Sequence, residues 1–496
     1  MIQPLGYVIF RGEKKLFGIK EDDRRRHIYI IGKTGSGKTT LLENMMIFDI
    51  ENKNGFAFID AHGDTCERLL KFVPKERIED VIYFNPADLN YPFSFNILSQ
   101  VPWEFRHILV SGLMSVFKKI WVDAWSSRME YILTNTLLAL VEFPDSTLLD
   151  VNRMLADKNF REKVIEKLKD PVVKNFWTQE YSRYTQAFQV EAIAPIQNKI
   201  GQFLTSPLIR NIIGQKESKI DFRKLMDEKK IFIANISKGL IGEDNAALLG
   251  AMLVTKIQLA AMSRADIPEQ QRVDFYLYVD EFQNFATDSF INILSEARKY
   301  HLSLILANQY LDQLPDKIKT AIIGNIGTII AFRVGPLDAE ILAKEFEPYI
   351  SAIDLLNLPK YTTYIKMIVD GITTQPFIAN TLPPRELPKI SYEEEIINFT
   401  RSKYCATRGF VEKQIKDRFG YLPGKEGEKE QFLAKCWNCG KEIYVDFPPT
   451  REKPVFCESC QGSFTPEISL KKSIQKGLVQ PFKTKKDIKD ERNLKE

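Results

Sequence analysis

Short apolar runs rich in β-branched and aromatic residues recur through the first hundred positions. His27–Ile31 (HIYII), Gly55–Asp60 (GFAFID) and Val81–Asn85 (VIYFN) are apolar almost throughout. Such runs predict strands buried on both faces, as in a parallel sheet. Leu41–Phe48 and Cys66–Phe72, between them, carry helical spacing, which completes β-α-β units. From about residue 101 to 214 the strand signals fade. Arg128–Leu140 and Phe160–Lys169 place apolar residues at helical spacing, predicting an inserted all-helical block with Trp121, Trp125 and Trp177 in its core. Alternation returns over 215–385. Ile231–Ile236, Phe275–Asp280, Leu302–Ala307 and Thr328–Val334 read as strands, and Tyr364–Asp370 with Gln375–Ala379, joined through Gly371, as a hairpin. Residues 386–430 form a charged, partly helical linker ending in Pro423–Glu430.

One segment inside this pattern carries chemistry. Gly32, Lys33, Thr34, Gly35, Ser36, Gly37, Lys38 and Thr39 fit G-x-x-x-x-G-K-[ST] in full, after a strand and before a helix. The glycines let backbone N–H groups turn towards phosphate oxygens, and the helix N-terminus adds partial positive charge. Lys38 would reach the β- and γ-phosphates of ATP, Thr39 would hold Mg²⁺, and Thr40 completes the nucleotide-contacting set. The fold expected is therefore α/β: a RecA-like P-loop NTPase sheet with an inserted all-helical domain.

A phosphate-binding loop needs an acidic partner strand. Phe275–Asp280 ends in Asp280, followed at once by Glu281. Asp280 would bind Mg²⁺ with Thr39, and Glu281 would orient and deprotonate an attacking water. A base facing water argues for an ATPase rather than a kinase. The separation of 242 residues from Lys38 to Asp280 exceeds what a minimal core needs, which makes the helical block at 101–214 a candidate functional lobe.

Composition changes the picture little. Hydrophobic residues make up 44% and charged residues 27%, ordinary for a globular protein and incompatible with disorder throughout. No stretch reaches 18 consecutive apolar residues, and the N-terminus lacks a signal-peptide core, so a cytoplasmic location is the expectation. The net charge is +4, from 69 Lys and Arg against 65 Asp and Glu. Leu470–Glu496 holds nine of the basic and four of the acidic residues, so the rest of the chain is close to neutral. Any nucleic-acid path in the main body must then be a local concentration of cations. The basic tail, 467–496, reads as either a solubilising segment or an arm for DNA or a protein partner.

Of six cysteines, four are paired as Cys436-x2-Cys439 and Cys457-x2-Cys460, with 17 residues between the pairs. Two such knuckles supply four thiolates to one closed tetrahedral site, so a structural zinc ribbon is expected over 431–466. Tyr444–Phe447 and Lys453–Phe456 read as its strands. Cys66 and Cys405 stand alone and read as plain small residues.

Arg24–Thr40 (RRRHIYIIGKTGSGKTT), Phe58–Asp64 (FIDAHGD), Tyr278–Phe285 (YVDEFQNF), Ser295–Tyr310 (SEARKYHLSLILANQY) and Gly324–Gly335 (GNIGTIIAFRVG) occur in this order. Together they resemble the HerA/FtsK superfamily of ring-forming, DNA-pumping ATPases. Within it they are most similar to the conjugative-transfer coupling ATPases of type IV secretion systems (TraG/TraD-like), over roughly residues 20–385. The resemblance implies that Gln309 is a polar sensor of the γ-phosphate or attacking water. It implies that Arg298 is an arginine finger supplied to a neighbouring subunit, with Arg333 as the rival. It also implies a homohexamer with DNA in its channel. Asp60, His62 and Asp64 stand close to the nucleotide by topology and are either supporting groups or a structural turn. Coupling proteins usually begin with membrane-spanning helices, and none is legible here, so the expectation is either a soluble relative or recruitment to a membrane by a partner.

The reading is an ATP-hydrolysing ring motor that moves DNA, with ATP, Mg²⁺ and Zn²⁺ as cofactors. The alternatives are an ATP-switched assembly adaptor, or a motor for protein substrates, with a protein partner held by the zinc ribbon or the helical domain.

Overall fold

The computed structural model describes residues 1–419, 432–436, 439–445, 455–457 and 460. Met1–Glu412 folds as one compact unit and the four-cysteine region lies in a second. The linker Pro423–Glu430, the tail 467–496 and the first half of the expected ribbon strand Lys453–Phe456 lie outside the described residues.

The strands in chain order are β1 (Ile2–Phe10), β2 (Glu13–Lys20), β3 (Ile28–Ile31), β4 (Gly55–Asp60), β5 (Val81–Phe84), β6 (Ile231–Asn235), β7 (Phe275–Val279), β8 (Leu302–Asn308), β9 (Thr328–Ala331), β10 (Thr362–Lys366), β11 (Ile368–Val369), β12 (Ile372–Thr373), β13 (Phe377–Thr381), β14 (Phe432–Lys435) and β15 (Glu442–Val445). Eleven of them build one sheet in the order β2-β1-β13-β10-β9-β3-β8-β7-β4-β6-β5. From β9 to β5 every neighbouring pair is parallel; β10, β13, β1 and β2 extend the edge antiparallel.

The unbroken apolar runs have the cause expected of them. Side chains alternate across the pleat, so Ile28 and Ile30 pack on one face of β3 while Tyr29 and Ile31 pack on the other. The first face lies under the helices Lys38–Glu51 and Asp64–Leu70. The second shares a core with Glu243–Ser263 and with the helical block. That block runs from Arg106 to Ile213 without a strand. Trp121 and Trp177 are buried within it, and Trp125 packs against them in part. The segment Glu243–Asp266 is long and apolar enough to cross a membrane by length and composition, but 83% of its apolar window is buried inside the protein, as in a core helix.

The hairpin expected around Gly371 forms: β10 pairs with β13, and the small pair β11–β12 turns through Gly371 at φ +81°. The strands β1 and β2 carry no comparable signal. Their outer positions, including Ile9, Phe10 and Leu16, are exposed at the sheet edge, so no buried run marks them. Thr328–Val334 is shorter as a strand than its apolar run: past Phe332, which still bonds the Ile31 carbonyl, the Arg333 carbonyl turns to Lys33 N–H of the phosphate-binding loop and Val334 N–H to the Leu355 carbonyl.

Candidate active site

The strand order brings distant residues to one place. β8 lies between β3 and β7, and β4 follows β7. In a parallel sheet the C-terminal ends of neighbouring strands share one edge, which is where ligands bind in such folds. Here that edge carries the loop Gly32–Thr39 after β3, Gln309 after β8, Asp280 and Glu281 after β7, and Asp60 at the end of β4.

The loop is held from both sides. Lys33 N–H donates to the Arg333 carbonyl at 2.9 Å and Tyr361 N–H to the Ser36 carbonyl at 2.9 Å. Gly32 is so close to Phe332 that an added Cβ would lie 2.5 Å from the Phe332 Cβ. Gly37 adopts φ +122° against the Tyr361 ring, where a side chain would be both strained and blocked. Ser36 Oγ is buried without a partner, as a polar atom is when it faces a site meant for a ligand. Lys38 opens the following helix with its amine turned back into the loop, 2.5 Å from the Gly32 carbonyl. Burial lowers its pKa, so a nearby anion is what would favour its charged form. This cradle fits a phosphate chain.

The acids complete the cluster. Thr39 Oγ1 donates to Asp280 Oδ2 at 3.3 Å. Burial, then the charges of Asp60 and Glu281, push the Asp280 carboxyl up to about 6. A buried carboxylate beside a threonine hydroxyl, with like charges around it, is a donor set suited to a hard divalent cation such as Mg²⁺. Glu281 has φ +50°, which turns it out of the strand direction. Gln309 Nε2 donates to Glu281 Oε1 at 2.7 Å, and Thr34 Oγ1 donates to Gln309 Oε1 at 2.8 Å. Gln309 thus bridges the phosphate-binding loop and Glu281.

Asp60 accepts from the backbone N–H groups of His62 and Gly63 at 2.9 and 3.0 Å, so its carboxylate closes its own turn. His62 is exposed, 3.9 Å from Glu281 Oε1. Asp64 is exposed and starts the next helix. Neither finger candidate joins the cluster within one chain. Arg298 is exposed before β8, at the opposite end of that strand from Gln309. Arg333 is exposed beside the loop that its carbonyl holds. Two contributors escaped the sequence reading. Gln283 donates to Glu281 Oε2 and was visible in the motif EFQNF, two positions on. Tyr361, just before β10, covers Gly37 and left no local signal.

In the second unit β14 and β15 pair antiparallel. The hairpin thus flanks the first knuckle rather than following it, because Cys436 N–H bonds the Lys441 carbonyl at 2.8 Å and Gly440, at φ +72°, makes the turn. The Sγ atoms of Cys436, Cys439, Cys457 and Cys460 all lie within 4.8 Å of one another, with Cys439 and Cys457 3.6 Å apart. Thiolates at about 2.3 Å from a tetrahedral zinc would stand about 3.8 Å apart, so the set fits that ion.

A family model described as the type IV secretion-system coupling protein DNA-binding domain matches residues 16–354. The chain belongs to this family. A model described as a probable treble clef zinc finger matches residues 429–463 of this coupling-protein chain. A relative, the type 4 coupling protein DotL of Legionella pneumophila, is 24% identical over 376 residues, 63% of this chain and 47% of DotL. The chain therefore spans about half the length of that curated relative. Among solved structures, the plasmid coupling protein TrwB in complex with ADP and Mg²⁺ matches with a TM-score of 0.57 at 13% identity, covering 79% of this chain and 98% of that one. TrwB with the non-hydrolysable analogue ADPNP matches at 0.55 and 12%, covering 75% and 88%. These likenesses establish a coupling-protein P-loop NTPase fold.

Proposed function

We propose that this coupling-family protein hydrolyses ATP to move DNA, working as a ring of six. The observation that carries the reading is the convergence of Lys38, Thr39, Asp280, Glu281 and Gln309 at one sheet edge. A switch that only binds nucleotide has no use for a carboxylate held by a glutamine that also touches the phosphate-binding loop. Gly32–Thr39, with Thr40 beside it, would cradle the phosphates. Thr39 and Asp280 would hold Mg²⁺, which would neutralise developing charge between the β- and γ-oxygens. Glu281 would take the proton of the attacking water, and Gln309 would orient that water. The helical block, 101–214, would be a lobe carried by the two halves of the motor, 1–100 and 215–385. Cys436, Cys439, Cys457 and Cys460 would hold a structural Zn²⁺. The match to a DNA-binding family domain supports DNA as the cargo, contacted through phosphates rather than bases.

Arg298 precedes β8, at the end of that strand away from Gln309, so a finger role would have to be in trans, in a neighbour's site. That requirement is what supports the ring. The test is ATP turnover with and without DNA at two salt concentrations, in the wild type, Arg298→Ala and Arg333→Ala. DNA raises the wild-type rate and raised salt weakens the stimulation, because phosphate contacts release counterions. The variant that loses turnover but keeps nucleotide binding identifies the finger. A rate indifferent to every DNA offered sinks the motor reading. ATP stimulated instead by a protein substrate favours a protein-moving motor.

A further inference from the structure

The helix Arg106–Ile120 of the helical block ends beside the loop that follows Glu281. Near its C-terminus, Lys119 sends its ammonium into that loop. The Nζ donates to the Gln283 carbonyl at 2.7 Å, the Asn284 carbonyl at 3.0 Å and the Ala286 carbonyl at 2.7 Å. An ammonium has three protons, and all three are used on one short stretch of backbone. Burial, with Lys238 nearby, lowers the Lys119 pKa to about 8, so the charged donor is still the main form at neutral pH.

The loop is fixed from its other side as well. Phe285 lies against Gly250 of the helix Glu243–Ser263, where an added Cβ would stand 2.3 Å from the ring. Gly112 of the lobe helix meets Thr255 of that same helix, with only 2.8 Å to spare for a Cβ. These two close approaches bring the lobe helix, the core helix and the loop together and aim Lys119 at the carbonyls. The loop in turn holds the acid, since the Gln283 side chain donates to Glu281 Oε2.

We propose that Lys119 is a positioning residue: it ties the helical lobe to the loop after β7, and through Gln283 it holds Glu281 in the orientation needed to activate water. Turnover then depends on how the lobe helix is seated, so a ligand that shifts the lobe changes the rate without touching the nucleotide. The inference rests on Glu281 being the base. Misplacing a catalytic group by about 1 Å can cost about 10²-fold in rate.

The test compares Lys119→Met, Lys119→Arg, Gln283→Ala and Glu281→Gln in the full chain, reading kcat, KM, binding of a fluorescent ATP analogue and melting temperature. Lys119→Met lowers kcat about 10–100-fold while KM and analogue affinity change less than about twofold. Lys119→Arg recovers part of the loss. Gln283→Ala, which removes only the side-chain link and leaves the buried carbonyls satisfied, lowers kcat in the same way. The Lys119→Met/Gln283→Ala pair is no worse than the stronger single change, since both cut one chain of contacts. Full kcat in Gln283→Ala, or a Lys119→Met loss that falls equally on analogue binding, overturns the proposal while leaving the base reading intact. An active Glu281→Gln overturns both.

Discussion

Replacing Glu281 by glutamine lowers ATP turnover by about 10²–10⁴-fold and leaves nucleotide affinity unchanged. The side chains are the same size, so packing at the end of β7 survives. What is lost is the ability to take a proton. The two groups that hold the carboxylate, Gln309 Nε2 and Gln283 Nε2, are both donors. A carboxylate accepts from both and still has lone pairs for water. A glutamine there presents its own NH₂ to one of them, so the pair that fixes the base becomes mismatched. The nucleotide contacts proposed for Gly32–Thr39 are untouched, so the loss falls on kcat alone. Steady-state turnover beside equilibrium binding of a labelled nucleotide checks this. Undiminished kcat would remove Glu281 from the chemistry.

Withdrawing zinc melts the four-cysteine module and spares the Met1–Glu412 unit. Among the described residues, its apolar cluster is Cys436, Cys457 and Cys460, with Ile443 and Phe456 packed against them. Domains of this size usually need a metal or disulfides, and structural zinc supplies about 10–16 kcal/mol of apparent binding energy to such sites at pH 7. Cys457→Ser, or a strong chelator, should therefore abolish hydrogen-exchange protection in β14 and β15. The melting transition of Met1–Glu412, with its own core, should stay where it is. Zinc affinity should also weaken as pH falls, because the thiols must lose their protons to bind. Persistent protection of β14 in Cys457→Ser would mean that the hairpin stands without the ion.

The residues that were legible in the sequence are those whose signal is local. β3, β4, β6, β7 and β8 are buried on both faces, so their composition alone marks them. Lys38 and Thr39 open the helix after β3, and Asp280 and Glu281 follow β7, all inside short motifs. What stayed hidden depends on distance along the chain. Nothing near residue 361 shows that Tyr361 will cover Gly37, and nothing near residue 119 shows that its amine will meet the loop after β7. The hairpin β1–β2 stayed hidden for the opposite reason. It lies at a sheet edge with many of its side chains in solvent, so only scattered positions such as Leu5 and Ile19 are buried and no continuous apolar run marks it.

The central claim is that hydrolysis at this edge moves DNA, and its most direct test is the ATP-driven displacement of streptavidin from end-biotinylated DNA, single- or double-stranded. The wild type with ATP and Mg²⁺ displaces streptavidin, and neither Glu281→Gln nor the wild type with a non-hydrolysable analogue does. Vigorous ATP hydrolysis with streptavidin left in place on both kinds of DNA would contradict it.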